Sequence, residues 1–227
     1  FQNFYLRYSI FMDSFVPIMI TIHLENGFCK LSNMPFDSIL AKLHFQQEMN
    51  NGTFDGDYYK QLPFLKMNDG IYHASKPFYE ISHISNETII KSFNLDLYLE
   101  LQGDMSNAPT IKNNRSGRYK QHKVEFELIY TDKITYYANG HFEYIEKLLQ
   151  NLNFIGKKTS IGWGKVFSIE IEELKEDFSL FRDNTQSRHL PDIPKYRSKD
   201  VYKVNIPLTP PYWRACNDIA LVNKDIL

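Results

Sequence analysis

The sequence has only two cysteines, Cys29 and Cys216, in 227 residues. A pair this far apart makes neither a disulfide framework nor a zinc pattern, and reduced thiols in a cytoplasmic protein are the expectation. No apolar run reaches the ~18 residues that a membrane span needs, so no membrane partner is expected. The opening residues, Phe-Gln-Asn-Phe-Tyr-Leu-Arg, are apolar but lack a cationic front and a small-residue cleavage site. They also lack a methionine: either residues precede Phe1, or Met12 marks the natural start. The seven histidines, His23, His44, His73, His83, His122, His141 and His189, form no HxxxH or HxH pair at metal-ligand spacing. Asp55 and Asp57 flank Gly56, but no bidentate Glu follows at calcium-loop distance. No local Ser-His-Asp or Cys-His signature occurs. Neither a metal nor another cofactor is expected. There is no internal repeat and no low-complexity tract.

What is present concentrates in residues 154–166, Phe-Ile-Gly-Lys-Lys-Thr-Ser-Ile-Gly-Trp-Gly-Lys-Val. Three of the chain's ten glycines, Gly156, Gly162 and Gly164, stand among Lys157, Lys158, Thr159, Ser160, Trp163 and Lys165. Glycine permits positive φ and close backbone approach to a ligand. Successive N–H groups in such a loop form an anion-binding concavity. Lysines add charge at a phosphate, and an indole offers a stacking face. The stretch is neither a P-loop nor a dinucleotide fingerprint. The spacing from Gly156 to Gly162 is wrong, no Lys-Ser/Thr pair follows Gly162, and Phe167 stands where a third glycine would be needed. A purely structural helix-to-strand turn accounts for Gly156 as a C-cap, but not for the lysines, hydroxyls and Gly-Trp-Gly that follow.

The net charge is only −1, and its distribution carries more information than the sum. Lys112, Arg115, Arg118, Lys120, His122 and Lys123 fall within residues 112–123 without one acid, while Glu170, Glu172, Glu173, Glu176 and Asp177 balance them elsewhere. Phosphate contacts from such a segment give salt-dependent affinity, and Tyr119 can stack on an unpaired base. A solvated loop whose charge only confers solubility is the other reading.

Alternation of Val16, Ile18, Ile20 and Ile22 predicts a strand over 15–24, with Pro17 placing its start nearby or putting it at an edge. Ile39, Leu40 and Leu43 predict a helix over 36–49, in which Asp37 and Ser38 read as first-turn residues and Asp37 as a cap rather than an acid catalyst. Strands are expected over 71–84 and 89–101, joined around Ser85-Asn86, followed by a long loop over 103–120. A second pair, 124–129 and 134–138, is expected to turn around Asp132-Lys133. Phe142, Ile145, Leu148, Leu149 and Leu152 predict a helix over 141–152. The glycine loop then leads into a strand over 166–174, an extended linker over 183–199 and a strand over 201–206. This is an α+β order, compatible with a ferredoxin-like (RRM-like) βαββαβ unit carrying an inserted hairpin, its antiparallel sheet covered by helices on one face.

The order helix, Ile-Gly-Lys-Lys-x-Ser-x-Gly-x-Gly-x-Val, strand resembles the glycine-rich loop of the RAMP superfamily, the RNA-binding subunits of CRISPR effector complexes. The chain is similar in particular to the Cas-five-like subunit of type IV complexes. Four further features agree: strand 16–24 followed by Pro35-Phe36-Asp37-Ser38-Ile39-Leu40-Ala41; Gly117-Arg118-Tyr119-Lys120; Arg188-His189-Leu190-Pro191; and Pro210-Pro211-Tyr212-Trp213. They span roughly residues 15–215.

The resemblance implies a RAMP domain over 1–180 with a thumb-like insert at 103–123, and a C-terminal tail, 181–227, packing on the domain or on a partner. It implies a non-catalytic subunit that caps the 5′ handle of crRNA in a defence ribonucleoprotein. Its partners would be a repeated backbone subunit and a large subunit, with target DNA met only through guide pairing. The expected RNA-binding residues are Gly156, Lys157, Lys158, Thr159, Ser160, Gly162, Trp163, Gly164 and Lys165 in the loop. Lys112, Arg115, Arg118, Tyr119 and Lys120 are expected in the basic segment. Two alternatives stand beside this one. The first is a guide-processing endoribonuclease using His122 or His23 in general acid–base chemistry. The second is a structural subunit in which the loop is only a turn and Trp163 packs in a core.

Overall fold

The structure is a computed structural model, described here for residues 15–29, 34–54, 56, 61–91, 122–197, 201–212 and 218–223. Strand β1 (Phe15–Leu24) is central, flanked antiparallel by β6 (Lys133–His141) and β7 (Val166–Glu173). Its register pairs Ile20 with Tyr136 on one side and Ile171 on the other, and Ile22 with Ile134 and Ile169. Strand side chains alternate faces, so Ile18, Ile20, Ile22, Ile134, Tyr136 and Ala138 share one fully buried face.

Two helices cover that face. Helix α1 (Phe36–Asn50) contributes Phe36, Ile39, Leu40 and Leu43, and α2 (Phe142–Leu149) contributes Ile145, Leu148 and Leu149. Phe36 lies 5.0 Å from the Tyr136 ring. Helix α2 starts immediately after β6, with the His141 Nδ1 accepting from the Tyr144 N–H at 3.2 Å. Pro17 sits at the beginning of β1, outside the stretch paired with β7. The strand therefore begins near Pro17, at Phe15, and it is central rather than at an edge.

Three other expectations change. Residues 71–84 do not form one strand. Within this stretch β3 (Ile71–Tyr72) pairs with the preceding β2 (Met67–Asn68) and a further strand begins only at His83, while the chain from Leu65 to Phe78 follows the outer edge of β6 through bridges Leu65↔Gly140, Ala74↔Ala138 and Phe78↔Thr135. Ser85-Asn86 is no turn: both lie inside β4 (His83–Lys91), which pairs with β5 (His122–Tyr130) from His83↔Tyr130 to Lys91↔His122. Nor is the expected pair around Asp132-Lys133 a hairpin, because β5 pairs with β4 whereas β6 pairs with β1. Polar turn formers in an exposed ribbon misled the pattern, since both faces of β4 are largely open to solvent. The expected insert at 103–123 lies, apart from His122 and Lys123, outside the described residues, as do Asp55, Asp57, Trp213 and Cys216.

Of the stretch 183–199, read as a linker, residues 183–197 are instead folded onto the domain. Strands β8 (Phe181–Arg182) and β9 (Thr185–Gln186) pair, and β10 (Leu190–Pro191), β11 (Val201–Asn205) and β12 (Ile219–Asn223) form a three-stranded sheet in the order β10-β12-β11. Arg188 explains the docking. Its guanidinium is 3% exposed, and Nη1 lies 3.3 Å from the Asp37 carboxylate. It also donates to the carbonyls of Ala74 at 3.1 Å and Leu208 at 2.8 Å, and to the Tyr212 hydroxyl at 3.0 Å. Tyr212 in turn donates to Asp37 at 2.7 Å. Asp37 is thus not a cap: Pro35 holds the N-cap position without a side-chain bond. Burial raises the Asp37 carboxyl above its usual range against the pull of Arg188 and Tyr212.

Candidate nucleic-acid interface

The glycine loop joins α2 to β7 and is held shut by short-range and long-range bonds. The Ile155 N–H donates to the Gly164 carbonyl at 2.8 Å, and the Val166 N–H to Asn153 at 2.9 Å. Segment 25–29 supplies the other wall. The Lys157 N–H donates to Cys29, and the Gly164 N–H donates to Gly27, each at 2.9 Å. Asn26 clamps the far side, its amide donating to the Gly162 carbonyl at 2.9 Å and its Oδ1 accepting from the Lys165 N–H at 3.0 Å. Glycine is required where these walls meet. At Gly156 a Cβ would stand 2.6 Å from the Cys29 carbonyl oxygen, and at Gly164 only 1.9 Å from that of Ile155, with φ at +90° and +72°. Both positions are excluded for other residues by contact as well as by backbone conformation.

Inside this frame the chain reverses handedness. Lys158 has φ 61° and ψ 24°, and a right-handed 3-10 turn, Thr159–Ile161, follows directly. Alternation of this kind turns successive N–H groups toward one concavity that suits an anion. Among the described residues, nothing accepts from the N–H groups of Lys158, Thr159, Ser160 and Trp163. Ser160 and Lys157 are exposed, and Thr159 and Trp163 are half-buried. The lysines are in different situations. The Lys165 ammonium pairs with Glu25 at 2.7 Å, and the Lys158 ammonium lies 5.9 Å from the Phe126 ring centroid. The arrangement can hold a phosphate by backbone donors, with Lys157 and the Ser160 hydroxyl beside it.

Phe126 belongs to β5, so the Lys158 contact ties the loop to the β4–β5 ribbon. A second tie runs through Phe28, which exchanges backbone hydrogen bonds with Ile129 of β5, each 2.9 Å. The ribbon is the element that carries residues 92–121 between its strands. Lys112, Arg115, Arg118, Tyr119 and Lys120 themselves lie outside the described residues. Sequence reading overlooked Asn26, Phe28 and Phe126. Asn26-Gly27 signals a turn, but nothing local tells that its amide will reach a carbonyl 136 residues away.

The two histidines put forward for RNA cleavage, His23 and His122, lie on β1 and β5. His23 faces the Glu170 carboxylate at 3.5 Å, and the side chain of His122 is not described. A close histidine–aspartate pair elsewhere was not foreseen. His73 Nδ1 lies 2.8 Å from Asp177, while its Nε2 lies 3.1 Å from the Asn68 amide, so both ring nitrogens are engaged. Burial would raise the Asp177 carboxyl, but hydrogen bonds from His73, Ser179 and Asn139 outweigh it and hold the group well below the usual carboxylate range. His73 and Asp177 link the edge of the sheet to the segment after β7. Among the described residues no group of acidic, histidine or cysteine side chains is arranged to hold a metal, and no helix is long and apolar enough to cross a membrane.

Known proteins resemble this chain to different degrees. No curated protein matches it. A chain from the cryo-EM structure of the type III-B Cmr-beta bound to cognate target RNA is similar, at 10% identity and a TM-score of 0.40. That match covers 76% of this chain and 66% of the other, just under two thirds of its length. The model of the family described as CRISPR type IV associated protein Csf3 matches residues 16–223. That range takes in β1, the glycine loop and β12, and the chain belongs to this type IV CRISPR-associated family.

Proposed function

We propose that this chain is a non-catalytic RNA-binding subunit that caps the 5′ handle of crRNA in a type IV effector complex. The observation that carries the reading is the set of N–H groups at Lys158, Thr159, Ser160 and Trp163 that are unengaged among the described residues, in a loop whose walls are closed by Gly156 and Gly164. Backbone donors recognise phosphate without regard to base, as a cap on a single strand requires. The ties from the loop through Lys158 and Phe28 to the β4–β5 ribbon support a continuous track toward the basic segment at 112–123. In this reading that segment is the thumb and runs along the guide. A repeated backbone subunit and a large subunit complete the complex, and target DNA is reached through guide pairing.

A ferredoxin-like core accompanies the proposal. The antiparallel order β6-β1-β7, with α1 after β1 and α2 between β6 and β7, supports it. The edge segment 65–78 would take the place of the remaining strand. The test is a titration of the folded chain with guide RNA, with and without its 5′ handle, at two salt concentrations. Tighter binding with the handle is expected, weakened by salt. Lys157→Ala with Lys158→Ala should lower the log–log salt slope by about 0.7 for each phosphate that is no longer neutralised. Equal affinity for both RNAs, or a slope unmoved in the double variant, would remove the loop from the interface.

A further inference from the structure

Among the described residues the most exposed large apolar side chain is Phe167, at 73%. It stands two residues beyond Lys165, directly where the glycine loop becomes β7. Its exposure has a structural cause. His23 pairs with Ser168 and Leu24 with Val166, so β7 has one residue more than β1 at this point, and Phe167 is that residue. A bulge of this kind bends the strand and redirects a side chain. Val166 on one side and Ile169 on the other still pack against the core, so the hydrophobic register of the sheet is kept while the ring is put into water.

Three surroundings indicate what meets the ring. The loop's N–H groups, unengaged among the described residues, and the exposed Lys157 lie on its N-terminal side, and Ile161, itself 50% exposed, projects from the 3-10 turn. On its C-terminal side β7 continues with Glu170, Glu172 and Glu173, all acidic and outside the core. A strand of RNA is therefore favoured at the loop and repelled farther along β7. An aromatic face at that boundary suits the last base on the favoured side. Trp163, the ring that the sequence suggests for this task, is half-buried. We propose that Phe167 is a stacking platform for one unpaired nucleobase of the RNA whose phosphate occupies the glycine loop. This rests on the RNA-binding reading given above, and adds the base contact and the residue that makes it.

Stacking on an aromatic side chain is sequence-tolerant and uncharged. Phe167→Ala should weaken binding of handle-containing guide RNA about tenfold, without changing the salt slope. Phe167→Trp should restore the affinity. The lysine double variant should do the opposite and lower the slope. A direct readout is guide RNA with 2-aminopurine placed at successive handle positions. One position should be quenched on binding to the wild-type chain and unquenched with Phe167→Ala. The high exposure of the ring makes the variant fold normally, which its thermal melt checks. Unchanged affinity and no Phe167-dependent quenching, while the lysine variant loses binding, would overturn the platform and leave the RNA reading intact. The same follows if Phe167→Ala binds RNA normally but no longer assembles with the other subunits, for the ring would then be a protein contact. Failure of the wild-type chain to bind the RNA at all would overturn both.

Discussion

Replacing Arg188 by methionine should strongly destabilise this protein, although the residue lies far from the glycine loop in sequence. The side chain is 3% exposed and Asp37 is fully buried. Arg188→Met leaves that carboxylate without its cation, and removes the donors that serve the carbonyls of Tyr72, Ala74 and Leu208. Breaking a buried ion pair by removing one partner costs about 3–5 kcal/mol. Each stranded carbonyl adds to this where water does not reach it, so the upper end is expected. Against a total stability of about 5–15 kcal/mol, the loss is measurable by urea unfolding followed through fluorescence.

Two controls separate charge from packing. Arg188→Lys keeps the cation but not the planar fork, and should fall between wild type and Arg188→Met. Asp37→Leu combined with Arg188→Met removes both charges, and should recover more than half of the loss. The pH response has a definite sign. The Asp37 carboxyl already titrates above its usual range because of burial, and losing Arg188 raises it further. The deficit of Arg188→Met should therefore shrink as pH falls and Asp37 becomes protonated. A deficit below about 1 kcal/mol, or one that does not vary with pH, would refute the buried-pair account.

Two further outcomes are expected. The His189 imidazole is held down to about 4, by burial first and then by the Arg188 and Lys76 charges. The unfolded chain therefore takes up a proton that the folded chain refuses, and stability should fall by about 2 kcal/mol from about pH 7 to about pH 5. His189→Gln should flatten that slope in urea melts, and an unchanged slope would exclude the residue as its source. Gly164→Ala places a Cβ against the Ile155 carbonyl at a positive φ. It should cost about 2–4 kcal/mol in thermal unfolding and abolish handle binding, whereas a normal melt with normal binding would show the loop walls to be adaptable.

By itself the sequence determined the elements whose apolar period is strong. Ile18, Ile20 and Ile22 alternate, and Ile145, Leu148 and Leu149 recur at helical spacing, because each element must bury one face. It also marked the glycine loop, since three glycines among lysines have a local backbone meaning. Polar and exposed stretches were not legible in the same way. The β4–β5 ribbon buries too little for a pattern, so Ser85-Asn86 read as a turn. The linker reading of 183–199 failed because Arg188 is buried by partners 151 and 24 residues away, and long-range pairing leaves no local trace. The same reason hid Asn26, whose amide closes the loop across 136 residues. It also hid Phe167, whose exposure follows from a one-residue mismatch with β1. Register between distant strands belongs to the tertiary structure, and it alone decided that the Phe167 ring stands in solvent.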